Sequence, residues 1–279
     1  MSRIAVIQMA APWETAARMR ERTARLLRDA AARGATLAVL PELSTISYDF
    51  RVRADVEAHA EPLGGPSVTA WEAVARETGM HVVAGWPERA GRLLYNSAAV
   101  IAPTGVLGVY RKAHLFDHER GIFTPGDNGL PVWDIPAGRM GVLICYDLRF
   151  AEAVRVLLLR GAQVLCVPTT WTDRGKPDPY DARGWCGANY LAAGHAYANR
   201  MWVACADRAG LDGRVRTLGC SAIFAPSGMV VAGPAPHATE EVMVADIDVE
   251  ALDGRRVTPS MDLLGDRRPD LYADLARGG

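Results

Sequence analysis

Three ionisable side chains each follow an apolar run: Glu42 after "ATLAVLP", Lys112 after "VLGVYR" and Cys145 after "RMGVLI". Their types are complementary. A thiol attacks well only as thiolate, and a neighbouring ammonium favours that form. A carboxylate beside it can take the thiol proton and later return one to a leaving amine. The ammonium, with backbone N–H groups after the nucleophile, can also stabilise the oxyanion of a tetrahedral intermediate. Although 70 and then 33 residues separate the three, the carboxyl ends of strands in layered α/β folds share one edge. Each residue also has an ordinary alternative: a small buried hydrophobe for Cys145, a turn or capping carboxylate for Glu42, a solvated strand-end cation for Lys112.

The elements that must bring them together alternate along the chain. "RIAVIQM" reads as a first core strand, and Met19, Thr23, Leu26, Leu27 and Ala30 then recur at helical spacing until Gly34 supplies a stop. "ATLAVLPE" is a second strand, "SVTAWEAVARETG" a second helix and "HVVAGW" a third strand. Two extended runs, "NSAAVIAP" and "VLGVYRK", flank the turn signal Thr104-Gly105. The second half repeats the theme with "RMGVLICYD", the helix "AEAVRVLLLRG" beginning near Phe150, and the strand "AQVLCVPT". A helix over 187–200 precedes the runs "MWVACAD", "SAIFAPSG" and "VMVADIDV". Strands that are apolar throughout are buried on both faces, with helices outside. Hairpin-like runs between the βα units point to two packed sheets, a four-layer α-β-β-α sandwich, over a plain doubly wound sheet. One domain spanning 1–279 is expected, since no linker or low-complexity tract divides the chain.

Composition narrows the partners. Formal net charge is -1, from 31 basic and 32 acidic residues, so neither nucleic acid nor an anionic membrane is the expected partner. The N-terminal segment has neither a signal-peptide layout nor the length of a spanning helix. The five cysteines, Cys145, Cys166, Cys186, Cys205 and Cys220, are widely spaced without a CxxC pair. Neither a disulfide framework nor a zinc knuckle is expected, and the cytoplasm is the natural compartment. The six histidines form no HExxH motif, and no glycine-rich phosphate loop follows a strand, so no metal or cofactor is expected.

"LPELS", "YRKAHLFD" and "GVLICYDLRFAE" resemble the three signature segments of the nitrilase superfamily of carbon–nitrogen hydrolases. The resemblance runs from "IAVIQM" to "RRPDLYADL" and implies the same sandwich fold. It also implies that Cys145 is the nucleophile, Glu42 the general base and Lys112 the cation at the tetrahedral intermediate. A second family glutamate, shortly before a Pro-Gly pair, falls on Glu119 in "HERGIFTPGD", with Asp117, Asp127 and Asp134 as nearby acidic alternatives. Its implied role is to orient Lys112 and position substrate. His114, in "KAHL", is expected to support the site through a hydrogen bond. Two departures stand out: Ala151 replaces a common Pro at the helix start, and Ala198 replaces the glutamate of an Ala-x-Glu-Asn segment, which implies the loss of a hydrogen bond near the sheet.

The "CYDLRF" context is similar to ω-amidase and deaminated-glutathione-amidase branches, and differs from true nitrilases, where Trp-Glu commonly follows the cysteine. Carbamoylase branches also differ just after the nucleophile, and "VPTTW" departs from the amidase branches. The implied reaction is hydrolysis of a small linear amide through a Cys145 thioester, releasing ammonia. N-carbamoyl-amine or nitrile hydrolysis by the same three residues is the alternative, and a catalytically silent scaffold the non-enzymatic one. Arg149 is a candidate partner for a substrate carboxylate or the member of a structural ion pair. Tyr48, Phe116, Tyr146, Thr170 and Trp171 are candidate pocket walls, and "TDRGKPDPYDARGW" reads as a surface loop shaping the rim. A homodimer or larger homo-oligomer is expected from the family.

Overall fold

Alternation within one strand sets the layering. In a computed structural model that describes residues 1–175 and 178–277, Ile4 and Val6 point into one core while Ala5, Ile7 and Met9 point into another. All five are wholly buried. Successive side chains on a strand leave on opposite faces, so a strand apolar at every position has a packed layer on both sides.

Two sheets stack face to face. The first contains β1 (Ser2–Ala10), β2 (Leu37–Val39), β3 (His81–Ala90), β4 (Leu93–Ala102) and β5 (Gly105–Arg111). β1, β2 and β3 run parallel, and β4 and β5 continue antiparallel. The second contains β6 (Val132–Ile135), β7 (Gly138–Val142), β8 (Val164–Pro168), β9 (Trp202–Ala206), β12 (Ala222–Phe224) and β13 (Val230–Ala232), with β7, β8 and β9 parallel. The hairpin β10 (Arg208–Asp212) and β11 (Val215–Leu218) extends the first sheet beyond the carboxyl end of β1, while β14 (Glu241–Ile247) pairs antiparallel with the rest of β1.

Helices close both outer faces. α1 (Ala16–Ala32) and α3 (Pro66–Thr78) cover the first sheet, and α4 (Ala151–Leu159) and α5 (Gly187–Asn199) cover the second; α2 (Arg53–Glu57) is a short surface turn. The stripe Met19, Thr23, Leu26, Leu27 and Ala30 is the buried face of α1. Thr23 belongs to it because its hydroxyl accepts the indole N–H of Trp71 on α3 at 2.9 Å, which satisfies both groups where no water reaches. Each large apolar side chain buried in these layers contributes about 1.5–3 kcal/mol. The architecture is the expected α-β-β-α sandwich.

Several elements escaped the sequence pattern: β6, the β10–β11 hairpin, β13 and α2 are short or carry charged residues on every turn. Ala151 is the first residue of α4, where a missing proline costs only its preset φ. Ala198 is exposed near the end of α5 and its carbonyl accepts from Arg155 at 3.1 Å, so this position does not face the sheet as expected. No helix among the described residues is long and apolar enough to cross a membrane.

Candidate active site

Strand ends at one edge of the sandwich deliver the reactive groups. Glu42 follows β2, Lys112 follows β5, and Asn96 lies near the start of β4, which runs antiparallel between β3 and β5. Two close backbone approaches hold them. A Cβ on Gly85 of β3 would stand 2.5 Å from the Pro41 carbonyl and 2.8 Å from Glu42 Cα, so glycine lets the Glu42 loop press against the sheet. Gly126, of the Pro-Gly pair, donates its N–H to the Lys112 carbonyl at 2.8 Å, and a Cβ there would fall 2.1 Å from the Arg111 carbonyl.

The result is a buried charge cluster. Lys112 Nζ is 2.7 Å from Glu42 Oε1, 3.0 Å from Glu119 Oε1 and 2.8 Å from Glu119 Oε2. The Asn96 amide bridges both carboxylates, donating to Glu42 Oε1 at 2.8 Å and to Glu119 Oε1 at 3.2 Å. Tyr48 donates its hydroxyl to Glu119 Oε1 at 2.8 Å, and the Phe116 N–H donates to Glu119 Oε2, also at 2.8 Å. Burial alone would lower Lys112, but Glu119 and Glu42 outweigh it and hold the ammonium above its ordinary value. Burial pushes the Glu42 carboxyl up; Lys112 opposes and Glu119 reinforces. Glu42 Oε2 is buried with no hydrogen-bond partner among the described residues, a cost of about 1–3 kcal/mol for such a group.

Cys145 opens a 3-10 turn, Cys145–Arg149, that stands between β7 and α4. The thiol therefore sits at this turn and not at the N-terminus of α4. Its backbone is left-handed, φ 47°, and the loops bearing the two glutamates each contain a similar residue, Leu43 at 47° and Asp117 at 48°. Non-glycine residues in this region are strained and collect at functional sites. Asp147 pins the turn: Oδ2 accepts the Ile144 N–H at 3.0 Å and the Tyr110 hydroxyl at 2.7 Å, and Oδ1 pairs with His114 Nδ1 at 2.7 Å. The His114 ring stacks on Phe150 with centroids 3.5 Å apart. The sulfur is 3.7 Å from the Thr170 carbonyl.

Burial pushes Cys145 well above the usual thiol range, the Glu42 carboxylate adds to this, and Lys112 opposes without reversing it.

Cys145 alone of the four central residues opens onto a cleft of about 600 Å³. Phe116, Tyr146, Arg149, Thr170 and Trp171 line that cleft. Arg149 is exposed to it and makes no ion pair among the described residues. Tyr48 does not line the cleft: it is buried beneath, where it holds Glu119, and its edge borders an adjoining cavity. The rim loop supplies Thr172 through Gly175, Asp178 and Pro179; its positions 176 and 177 lie outside the described residues.

Asn96, Asp147 and Arg208 escaped the sequence reading. Arg208, wholly buried, donates to the carbonyls of Leu43 (2.6 Å) and Ile46, pairs with Asp212 at 3.1 Å and stacks over Trp13. The available signal was a polar residue inside an apolar run. Among the described residues no group of three or more His, Cys, Asp or Glu could hold a metal ion. The other cysteines are buried and free, Cys166 and Cys205 within strands as expected.

Comparison with known proteins finds relatives of this chain. A family model described as carbon-nitrogen hydrolase matches residues 3–256. A nitrilase from Pyrococcus abyssi is 36% identical over 249 residues, covering 89% of this chain and 90% of the relative. An N-carbamoylputrescine amidase from Arabidopsis thaliana is 33% identical over 264 residues, covering 89% and 86% respectively. Among solved structures, a mutant amidase from Nesterenkonia sp. AN1, with acrylamide added at its active-site cysteine, matches with a TM-score of 0.78 at 24% identity. That likeness, over 99% of this chain and 100% of the other, is one of fold.

Proposed function

Because this chain belongs to the carbon–nitrogen hydrolase family of the nitrilase superfamily, and is a hydrolase of amide C–N bonds, we propose that it is a thiol amidase of small linear amides, ω-amidase-like. The observation that carries the reading is the buried Glu42–Lys112–Glu119 cluster set behind the Cys145 thiol, which opens onto a cleft.

The unpartnered Glu42 Oε2 accepts the Cys145 thiol proton as sulfur attacks the amide carbonyl. The S–C bond forms, the carbonyl π pair moves to oxygen, and the Lys112 ammonium with the Tyr146 backbone N–H stabilises that oxyanion. Glu42 passes the proton to nitrogen, the C–N bond breaks and ammonia leaves a thioester on Cys145. Water, deprotonated by Glu42, attacks the thioester; the acid departs and sulfur regains its proton. The balance is amide plus water to acid plus ammonia. Glu119 and Tyr48 hold Lys112 charged and in place throughout. Arg149, without an ion-pair partner on the cleft wall, is positioned to pair with a carboxylate on the acyl chain.

The similarity to an N-carbamoylputrescine amidase favours a second reading, in which the carbonyl belongs to a ureido group and the products are an amine, carbon dioxide and ammonia. Intact-protein mass spectrometry after rapid quench, with a panel of ω-amides, ureido compounds and nitriles, decides between them. The mass added to Cys145 identifies the acyl half, and Cys145→Ala must show none. Absence of any adduct or ammonia across the whole panel overturns the hydrolase mechanism.

A further inference from the structure

Beside the Cys145 cleft lies a second cavity of about 680 Å³. The two share Phe116, Tyr146, Thr172, Asp173 and Arg174 as walls, so they adjoin along one side. The outer one gathers five arginines from separate parts of the chain: Arg51 before α2, Arg120 on the turn after β5, Arg174 on the rim loop, and Arg214 and Arg216 on the β10–β11 hairpin. Only two carboxylates, Asp117 and Asp173, line the same space.

Part of this charge is already committed. Asp49 pairs with Arg51 at 3.2 Å and with Arg214 at 3.0 Å, and Asp173 lies 3.9 Å from Arg216. Arg120 and Arg174 have no carboxylate partner among the described residues. Arg120 donates Nε to the Leu115 carbonyl at 3.4 Å, and Arg174 lies over the Phe116 ring at 4.8 Å, at the boundary of the two compartments. Guanidinium groups that remain unpaired in a concave surface attract and bind carboxylates, bidentately where geometry allows.

We infer that the outer cavity is a subsite for a carboxylate at the far end of an elongated amide whose reacting carbonyl lies at Cys145. The inference rests on the amidase reading and extends it: Arg149 in the inner cleft reads a short acid, and the Arg120 cluster reads a longer one. Amides with a cationic far end are disfavoured by the same charge.

The test compares suberamate, the mono-amide of suberic acid, with its methyl ester in the full-length protein and in Arg120→Gln and Arg120→Lys. The wild type is expected to favour the acid in kcat/KM by about tenfold or more. The preference falls toward parity in Arg120→Gln, survives in part in Arg120→Lys, and shrinks as salt is added. Equal consumption of acid and ester by the wild type overturns the subsite and leaves the hydrolase reading standing. If neither compound is consumed, calorimetric titration with suberate decides: binding weakened about tenfold by Arg120→Gln supports the subsite, and identical binding overturns it.

Discussion

Lys112 Nζ lies 2.7 Å from Glu42 Oε1, and neither side chain has any solvent exposure. The pair acts on the neighbouring sulfur in opposite senses, with the carboxylate raising the thiol and the ammonium lowering it. Glu42→Gln removes the raising charge, so thiolate should appear at lower pH in this variant, while turnover falls about 10²–10⁴-fold for want of a base. Lys112→Met should move the titration the other way. Ultraviolet thiolate absorbance against pH reads both, and an upward shift in Glu42→Gln would remove Glu42 from the role of proton acceptor.

Arg208 grips the Glu42 loop through the Leu43 and Ile46 carbonyls while pairing with Asp212, which also accepts the Tyr48 N–H at 2.6 Å. Arg208→Met leaves Asp212 buried without its partner and should lower unfolding free energy by about 3–5 kcal/mol. Arg208→Lys keeps the charge but not the fork, and should lose kcat by more than its stability loss explains. Chemical denaturation alongside ammonia release measures the two; wild-type kcat in Arg208→Lys would show the grip to be dispensable.

Gly126→Ala places a methyl group 2.1 Å from the Arg111 carbonyl, beside the residue that carries the ammonium. The backbone has to yield. Stability should fall by about 1–3 kcal/mol, and kcat should drop in disproportion because the Lys112 chain is displaced from two carboxylates at once. Normal kinetics in this variant would mean that the Pro125–Gly126 contact does not set the position of Lys112.

Burial pushes the Asp207 carboxyl up to about 7, although it accepts N–H groups from Trp171, Arg208 and Cys220. Its folded value lies above its unfolded one, so the folded chain keeps a proton that the unfolded chain releases. Stability should therefore decline as pH rises from the ordinary carboxylate range through about 7, and level off above. Asp207→Asn cannot titrate and should flatten that decline while lowering stability overall. Urea unfolding across this pH window tests it, and an unchanged slope in the variant would exclude Asp207 as the source.

Much of this was legible because the ends of strands are marked twice, by an apolar run and by the charged residue that interrupts it. Glu42 and Lys112 carry both marks and Cys145 the first, and the helical stripe of α1 even included Thr23. Asn96 and Asp147 carry no such mark: a single polar residue in an apolar segment becomes meaningful only when strand register sets it against two carboxylates or under a turn. Tyr48 shows the converse limit. A loop aromatic has no period, so its sequence position did not tell whether it faced the cleft or, as the structure has it, the underside of Glu119. Arg208 sits where charge argues against a strand, yet it heads β10 because Asp212 and two loop carbonyls neutralise it.

The left-handed backbones of Leu43, Asp117 and Cys145 bear on any attempt to move this chemistry elsewhere. Cys145 is itself such a residue, and the two glutamates stand one and two positions from one. Grafting four side chains onto another parallel-sheet scaffold would supply the functional groups and lose their approach vectors. A transplant has to carry 42–43, 117–119 and 145–147 as intact segments of main chain, with Lys112 held beside them, which makes the catalytic apparatus a property of three turns as much as of the atoms they present.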